Sequence, residues 1–117
     1  MMPTEAELRK EIDAELSTGW QVTLAICGDE VVGFLAIRPD EAVLAELFVR
    51  PGSLGKGIGQ ALLARAIGAM PDGFTLFTRP GNTRARRFYE KAGLVVLREA
   101  THPQFGDPIV YYEWRRR

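Results

Sequence analysis

Short runs rich in Val, Ile, Leu and Phe recur along this chain, and Gly, Pro or Asp separates one run from the next. Runs of this length and composition are typical of β-strands. They predict strands over Gln21–Cys27, Val31–Ile37, Ala42–Val49, Phe74–Thr78, Val95–Ala100 and Ile109–Trp114. Gly28-Asp29 lies between the first two runs and predicts a hairpin turn.

Other segments repeat apolar residues at the three- or four-residue spacing of an α-helix. The first is predicted from a capping box followed by an apolar stripe, formed in order by Thr4, Glu7, Leu8, Ile12 and Leu16. This helix is predicted to end at Gly19. A second helix is predicted over Gly57–Met70, and a third from Asn82 or Thr83 to Gly93, a typical helix-ending residue.

The order α-β-β-β-α-β-α-β-β predicts a mixed α/β (α+β) fold, in which helices cover both faces of a mostly antiparallel sheet. The 117 residues are expected to form one domain, residues 1–117. Fifteen basic and fifteen acidic residues balance, so the charge favours neither a nucleic-acid partner nor a membrane surface. One cysteine, no signal peptide and no long apolar run predict a cytoplasmic protein.

The most informative segment is the glycine-dense turn between the Ala42–Val49 strand and the second helix. Gly55, Gly57 and Gly59 alternate with Lys56 and Ile58 as the helix begins. Residues without Cβ let a ligand approach the backbone closely, and the unpaired N–H groups at a helix start favour an anion. The turn therefore predicts a site for a phosphorylated cofactor.

Two common phosphate-binding motifs fit this turn poorly. An ATP-type P-loop needs four residues between its first glycine and its Gly-Lys pair, and then Ser or Thr. Here only two residues separate Gly52 from Gly55-Lys56, and Gly57 follows. A dinucleotide fingerprint needs a third glycine where Leu62 stands and an acid about 20 residues on. The segment Leu76–Arg79 offers no such acid.

The pattern Gly-x-Gly-x-Gly, entering a helix just after Val-x-Pro, resembles the pyrophosphate loop of the GNAT superfamily of acyl-CoA N-acyltransferases. That family's pattern, Gln/Arg-x-x-Gly-x-Gly/Ala, falls on residues 54–59, with Leu54 in place of the usual Arg or Gln. A later segment, residues 81–94, resembles the family's Asn-x-x-Ala-x-x-Phe-Tyr-Glu-Lys-x-Gly-Phe, with Leu94 for the final Phe. The resemblance covers Gln21 to the C-terminus.

The resemblance implies acetyl-CoA, or another acyl-CoA, as cosubstrate and direct attack by an amine on its thioester. It implies that residues 54–59 hold the pyrophosphate, through Leu54, Gly55, Lys56, Gly57, Ile58 and Gly59. Backbone N–H groups near Phe48 and Val49 would polarise the thioester carbonyl. Asn82 would cap its helix and contact the pantetheine arm, and Arg87 is the arginine best placed in the motif for a phosphate.

Two residues are candidates for proton transfer. A tyrosine titrates near ~10 and a thiol near ~8.5, so a phenol is a reasonable acid for the leaving thiolate. The resemblance assigns this role to Tyr89, which would otherwise be a packing aromatic. Glu46 is the candidate base because its strand leads into the glycine turn, and its apolar neighbours are compatible with burial. It could equally be an outward-facing carboxylate, with ordered water accepting the proton.

The acceptor would be a small-molecule or protein amine, and its identity has no readable motif. The chain resembles a short form of the fold, without the usual N-terminal strand and helix; a homodimer could cover the sheet edge left vacant. An inactive acyl-CoA-binding or regulatory module is the alternative, and a nucleotide-binding structural protein a third reading. His102 is the one histidine, so neither a metal site nor a catalytic triad is expected.

Overall fold

The structure, a computed structural model, describes residues 10–15, backbone only, and 18–116. In these ranges the strands are β1 Lys10–Glu15, β2 Gln21–Cys27, β3 Glu30–Arg38, β4 Val43–Val49, β5 Gly73–Thr78, β6 Val95–Thr101 and β7 Pro108–Arg115. The α-helices are α1 Ile58–Ala69 and α2 Thr83–Lys91. The chain divides after Met70 into two compact units. The mixed α+β class is confirmed, and a single domain stays a prediction.

Strands β1 to β4 of the first unit lie side by side in chain order, and every neighbouring pair is antiparallel. The tight turn predicted at Gly28-Asp29 joins β2 to β3, with Gly28 at a φ of 63°. Strands β2, β3 and β4 all begin within two residues of the predicted positions. The alternation and turn signals along these strands are local, which is why they could be read from the sequence.

The helix predicted before Gly19 is wrong over residues 10–15, which form strand β1. Lys10 pairs with Ile26 and Glu15 with Gln21, so β1 is an antiparallel partner of β2. The spacing of four between Leu8, Ile12 and Leu16 satisfies a strand period of two as well as a helical period. Residues 4–9, which carry the predicted capping box, lie outside the described residues.

The sheet edge beside β2, which was expected to be vacant, is paired with β1 from Gln21 to Ile26. Backbone N–H and C=O groups on that side of β2 therefore already have partners within the chain. The argument that a second copy covers this edge is thereby removed, and a homodimer stays untested.

Helix α1 packs on the first unit's strands, and Gly33 on β3 sets how closely it can do so. A Cβ at Gly33 would lie 2.7 Å from the carbonyl oxygen of Phe48, 3.2 Å from Leu62 Cδ1 and 3.3 Å from Ile58 Cγ2. The last two atoms belong to α1, whose buried residues are Ile58, Leu62, Leu63 and Ala66. A side chain here would push on both β4 and the first turn of α1.

In the second unit β7 lies between β5 and β6 and pairs antiparallel with both. Phe74 on β5 stacks on Trp114 of β7 with ring centroids 5.7 Å apart. Helix α2 connects β5 to β6 in the chain, and its side chains reach β7 through the contacts described below. No helix among the described residues is long and apolar enough to cross a membrane.

Candidate functional site

The glycine turn after β4 has the backbone shape that its sequence requires. Gly55 and Gly57 have φ values of 77° and 81°, in the left-handed region that residues with a Cβ rarely adopt. A Cβ at Gly55 would meet nothing within 4 Å, so conformation rather than crowding requires glycine there. A single 3₁₀ turn, Pro51–Ser53, precedes these glycines and buries Ser53.

The start of this turn is tied to the strands before it. The N–H of Arg50 donates to the carbonyl of Val32 at 2.8 Å, and its Nη1 lies 2.5 Å from Glu30 Oε2. Both partners lie on β3, so the chain leaves β4 in a fixed direction. Ile58 is 1% exposed and anchors the first turn of α1 in the unit's core. The turn is thus held at each end while Gly55 itself is exposed.

Helix α1 begins without a side-chain cap. Its N-cap residue is Gly57, and the first hydrogen bond of the helix runs from Ala61 N–H to Gly57 C=O at 3.0 Å. The N–H groups of residues 58–60 precede that bond and have no acceptor within the helix. They lie at the positive end of the helix dipole, with the half-exposed Lys56 next to Gly57. This arrangement suits a phosphate or pyrophosphate.

Strand β4 carries a β-bulge beside the candidate base. Ile37 pairs with Leu44 and Ala36 with Glu46, so Ala45 is an extra residue on β4. Leu44 is buried, whereas Glu46 is exposed. Of the two alternatives left open for Glu46, the structure has the outward-facing carboxylate, because the bulge changes which residues of β4 face the core. An exposed carboxylate can still accept a proton from an incoming amine, and that role stays a prediction.

Phe48 and Val49 follow Glu46 and lead into the glycine turn. Phe48 is 45% exposed, and its ring lies 5.7 Å from that of Phe34 on β3. Val49 pairs with Gly33 and is half-buried. Leu54, which stands where an arginine or glutamine was expected, has an exposed apolar side chain. It has no charge to offer a phosphate, so the turn's contribution is mainly its backbone.

The second unit contains the other predicted residues, all on or next to α2. The side-chain oxygen of Asn82 accepts a hydrogen bond from Ala85 N–H at 3.2 Å, which confirms the predicted cap. Its side-chain NH₂ group is a separate donor. Arg87 is exposed one turn into the helix. Tyr89 is 7% exposed, with its ring 5.3 Å from Phe88 and 6.2 Å from Tyr112.

The sequence pattern did not reveal a polar network that joins α2 to β7. Arg86 Nε donates to the hydroxyl of Tyr112 at 3.0 Å, and that hydroxyl donates to Glu90 Oε2 at 2.5 Å. Arg86 lies on α2, and its side chain is half-buried. Its spacing from Glu90, four positions on, predicts an ion pair, but nothing local points to Tyr112, 26 residues away.

His102 has a structural role in the loop between β6 and β7. Its Nδ1 accepts hydrogen bonds from the N–H groups of Gln104 at 3.1 Å and Phe105 at 3.2 Å. Its ring also stacks on Phe105, with centroids 4.8 Å apart. Nδ1 of His102 is therefore committed to hydrogen bonds within its own loop.

Comparisons with known proteins bear on these residues. The model of the acetyltransferase (GNAT) family matches residues 2–94, which include the glycine turn and all of α2. A peptidyl-lysine N-acetyltransferase, YjaB, of Salmonella typhimurium is 34% identical over 80 residues, covering 68% of this chain and 53% of that protein. A mycothiol acetyltransferase of Beutenbergia cavernae is 33% identical over 79 residues, covering 62% of this chain but 26% of that protein.

Solved structures share the fold. A Bacillus anthracis protein assigned as a streptothricin acetyltransferase, solved with acetyl coenzyme A, superposes with a TM-score of 0.75 at 20% identity. The match covers 85% of this chain and 64% of that one. The chain thus spans about half the length of YjaB and about a quarter of the mycothiol acetyltransferase. It spans less than two thirds of the Bacillus anthracis protein.

Proposed function

The chain belongs to the GNAT acetyltransferase family, and from this membership we propose that it transfers an acetyl or other short acyl group from acyl-CoA to a primary amine. The observation that carries the proposal is the start of α1. Two positive-φ glycines lead to a helix end with no side-chain cap, where N–H groups are available to a pyrophosphate. When bound, acetyl-CoA supplies the acyl group as a thioester.

Each predicted residue has a proposed task in this reaction. The N–H groups of residues 55–59 hold the pyrophosphate, with Lys56 adding positive charge and Leu54 lining the turn. The N–H groups of Phe48 and Val49 stabilise negative charge on the thioester oxygen. These tasks need only backbone donors, which the β4 strand and the glycine turn supply whatever their side chains.

Proton transfer falls to side chains. A primary amine near pKa ~10.4 is mostly protonated at neutral pH, so Glu46, directly or through water, accepts the proton that must leave before attack. Tyr89 protonates the departing thiolate. The NH₂ group of Asn82 contacts the pantetheine arm, while its oxygen stays committed to the cap. Arg87 attracts a cofactor phosphate from its exposed position on α2.

The acceptor is proposed as a protein lysine or a small-molecule amine. One relative is named as a peptidyl-lysine acetyltransferase, so a lysine peptide is the first acceptor to test. Equal numbers of acidic and basic residues give no global attraction to a charged partner. A cytoplasmic location remains a prediction consistent with an acyl-CoA substrate and a single cysteine.

Thermal denaturation and calorimetric titration with acetyl-CoA, with ATP and NAD as controls, test the cofactor assignment. A ligand at 100 times its dissociation constant should add about 2.7 kcal/mol to the free energy of unfolding. We expect saturable binding of acetyl-CoA and none of the two controls. Equal binding of ATP would contradict the proposal and favour a general nucleotide site.

Tyr89→Phe tests the chemistry, with CoA release measured against a panel of amines that includes a lysine peptide. Loss of a general acid should lower turnover roughly 100-fold while leaving acetyl-CoA affinity unchanged. Tyr111→Phe is the matched control, since it removes the hydroxyl of a tyrosine on β7 that has no proposed part in the reaction. Binding without any turnover in the unmodified protein would favour the inactive acyl-CoA-binding module instead.

A further inference from the structure

Tyr112 is the most completely buried tyrosine of the described chain, and its hydroxyl has two charged partners on one helix. It accepts from Arg86 Nε at 3.0 Å and donates to Glu90 Oε2 at 2.5 Å. Arg86 also donates through Nη1 to the carbonyl of Pro80 at 3.2 Å, and its Nε lies 3.9 Å from Glu90 Oε2. One phenol on β7 thus bridges two turns of α2.

Tyr89 lies between these two partners in the sequence of α2. Arg86 precedes it by three residues and Glu90 follows directly, so the two bonds from Tyr112 enclose its position along the helix. The rings of Tyr89 and Tyr112 are 6.2 Å apart between centroids. A small rotation or slide of α2 would break these bonds and move the Tyr89 side chain together with them.

Apolar packing alone gives α2 little to fix its position. The helix has nine residues, and within it, where every residue is described, Tyr89 is the one that is buried. A helix this short is marginal by itself and depends on tertiary contacts. The Tyr112 network is therefore a principal contact that sets how α2 lies on β7.

The bridging hydroxyl keeps its proton across the neutral range. Burial raises the pKa of Tyr112, and its hydrogen bond to Glu90 raises it further, whereas the bond from Arg86 acts the other way. The hydroxyl thus stays a donor to Glu90 and an acceptor from Arg86. Both bonds have a charged partner, which makes them stronger than bonds between neutral groups.

We propose that Tyr112 is a positioning residue: by bridging Arg86 and Glu90 it fixes α2 and so holds the Tyr89 hydroxyl where it protonates the leaving thiolate. This inference rests on the proposed function of Tyr89. It assigns to Tyr112 no contact with the substrate, since its hydroxyl is committed to Arg86 and Glu90.

Carbon-13 NMR of protein labelled at tyrosine Cζ tests the inference without an amine acceptor. The chain has three tyrosines, so the spectrum is simple, and Tyr89→Phe assigns the Tyr89 signal. Acetyl-CoA is the probe. In the unmodified protein we expect saturation with acetyl-CoA to shift the Tyr89 signal. In Tyr112→Phe we expect less than half of that shift at unchanged acetyl-CoA affinity, while Tyr111→Phe, the matched control, keeps it in full.

Glu90 provides a second test that does not disturb the buried ring. Glu90→Gln retains an oxygen that can accept from the Tyr112 hydroxyl, and it should keep the acetyl-CoA-induced shift of Tyr89. Glu90→Ala removes the acceptor and should lose most of the shift. Because Glu90 is half-exposed, both variants are expected to fold even where Tyr112→Phe does not. The shift is read in folded protein saturated with acetyl-CoA, so a role that only stabilises the fold would leave it unchanged in both Glu90 variants.

Two results would overturn the inference, and they differ in their consequence for the proposed function of Tyr89. If Tyr89 responds to acetyl-CoA equally in the unmodified protein, Tyr112→Phe and Glu90→Ala, Tyr112 does not position it, and the proposed function stands. If Tyr89 does not respond even in the unmodified protein while calorimetry shows binding, its proposed role near the thioester fails, and the inference fails with it.

Discussion

Helix α1 begins at a residue with no side chain, whereas α2 begins at a residue whose side chain closes the helix end. Gly57 precedes α1 and supplies no side-chain hydrogen bond. Asn82 precedes α2 and accepts from Ala85 N–H. A glycine start is less stable than one capped by Asn, Asp or Ser by about a few tenths of a kcal/mol. The glycine start of α1 therefore gives up some stability and keeps its N–H groups available.

The two helices also differ in what holds them. Helix α1 has four buried residues and is fixed by the core of the first unit, so its end needs no help from a cap. Helix α2 has one buried residue and depends on Asn82 at its start and on Tyr112 along its side. Where packing is strong, a helix end can be left for a ligand; where packing is weak, polar groups are used for fixing the helix itself.

The largest expected effect on acetyl-CoA binding comes from Gly57→Ala, which places a Cβ at the left-handed N-cap position of α1. Alanine at a φ of 81° costs about 1–2 kcal/mol, so the turn will relax and move the N–H groups. We expect acetyl-CoA binding to weaken about tenfold or more, equivalent to at least ~1.4 kcal/mol. Calorimetric titration with acetyl-CoA measures this.

Gly68→Ala, near the other end of α1, is the control. Gly68 is exposed and helical, and a Cβ there would meet nothing within 4 Å. Alanine should stabilise the protein by about 0.5–1 kcal/mol and leave the affinity for acetyl-CoA unchanged. Unchanged affinity in Gly57→Ala too would show that the start of α1 is not where the pyrophosphate binds.

Features that depend on a few neighbouring residues could be predicted from the sequence. The cap at Asn82 was predicted and is present, and the positive φ values at Gly55 and Gly57 follow the same kind of local conformational rule. Strand β1 shows the opposite case. Its residues Glu11 to Glu15 alternate polar and apolar, which is a strand pattern, but in the sequence a spacing of four among the larger apolar residues matched a helix equally well.

Features that depend on pairing between distant segments could not be predicted. The bulge at Ala45 arises from the register of β3 and β4, and it leaves Glu46 exposed. Gly33 looks like any strand glycine until α1 and the Phe48 carbonyl are placed against it. Tyr112 meets Arg86 and Glu90 only through the packing of α2 on β7.

A second prediction concerns how the free energy of unfolding depends on pH through Tyr112. The pKa of Tyr112 is raised on folding, chiefly by burial, so above pH ~10 the unfolded chain releases this proton while the folded chain retains it. Unfolding then releases a proton, and the free energy of unfolding falls by up to about 1.4 kcal/mol per pH unit until the folded-state pKa is reached. Below pH ~10 the contribution is fully present.

Tyr112→Phe lacks this proton and should show a shallower decline. Chemical denaturation of both proteins at a series of alkaline pH values measures the difference. We expect the unmodified protein to be the more stable near neutral pH and the two curves to converge as the pH rises above 10. Parallel curves would contradict the raised pKa.

A third prediction separates the two tasks given to Asn82. Asn82→Ala removes the cap and should lower the free energy of unfolding by about 1 kcal/mol. Asn82→Ser keeps an oxygen that can cap but has no NH₂ group, so stability should be nearly retained. If that NH₂ group contacts the pantetheine arm, Asn82→Ser will still bind acetyl-CoA several-fold more weakly. Full affinity in Asn82→Ser would leave Asn82 with the cap alone.

The smallest expected effect concerns the exposed arginines of α2, because charges in solvent are screened and interact weakly. Arg84 and Arg87 are both exposed, and α2 has no acidic residue in its first turn. Arg87→Gln should weaken acetyl-CoA binding by about threefold at low salt, a difference of ~0.7 kcal/mol, and by less as salt is added. Arg84→Gln changes the net charge equally, so it serves as the matched control. A larger loss for Arg87→Gln than for Arg84→Gln would indicate a local phosphate contact, whereas equal losses would mean that only the general positive field of this helix start attracts the cofactor.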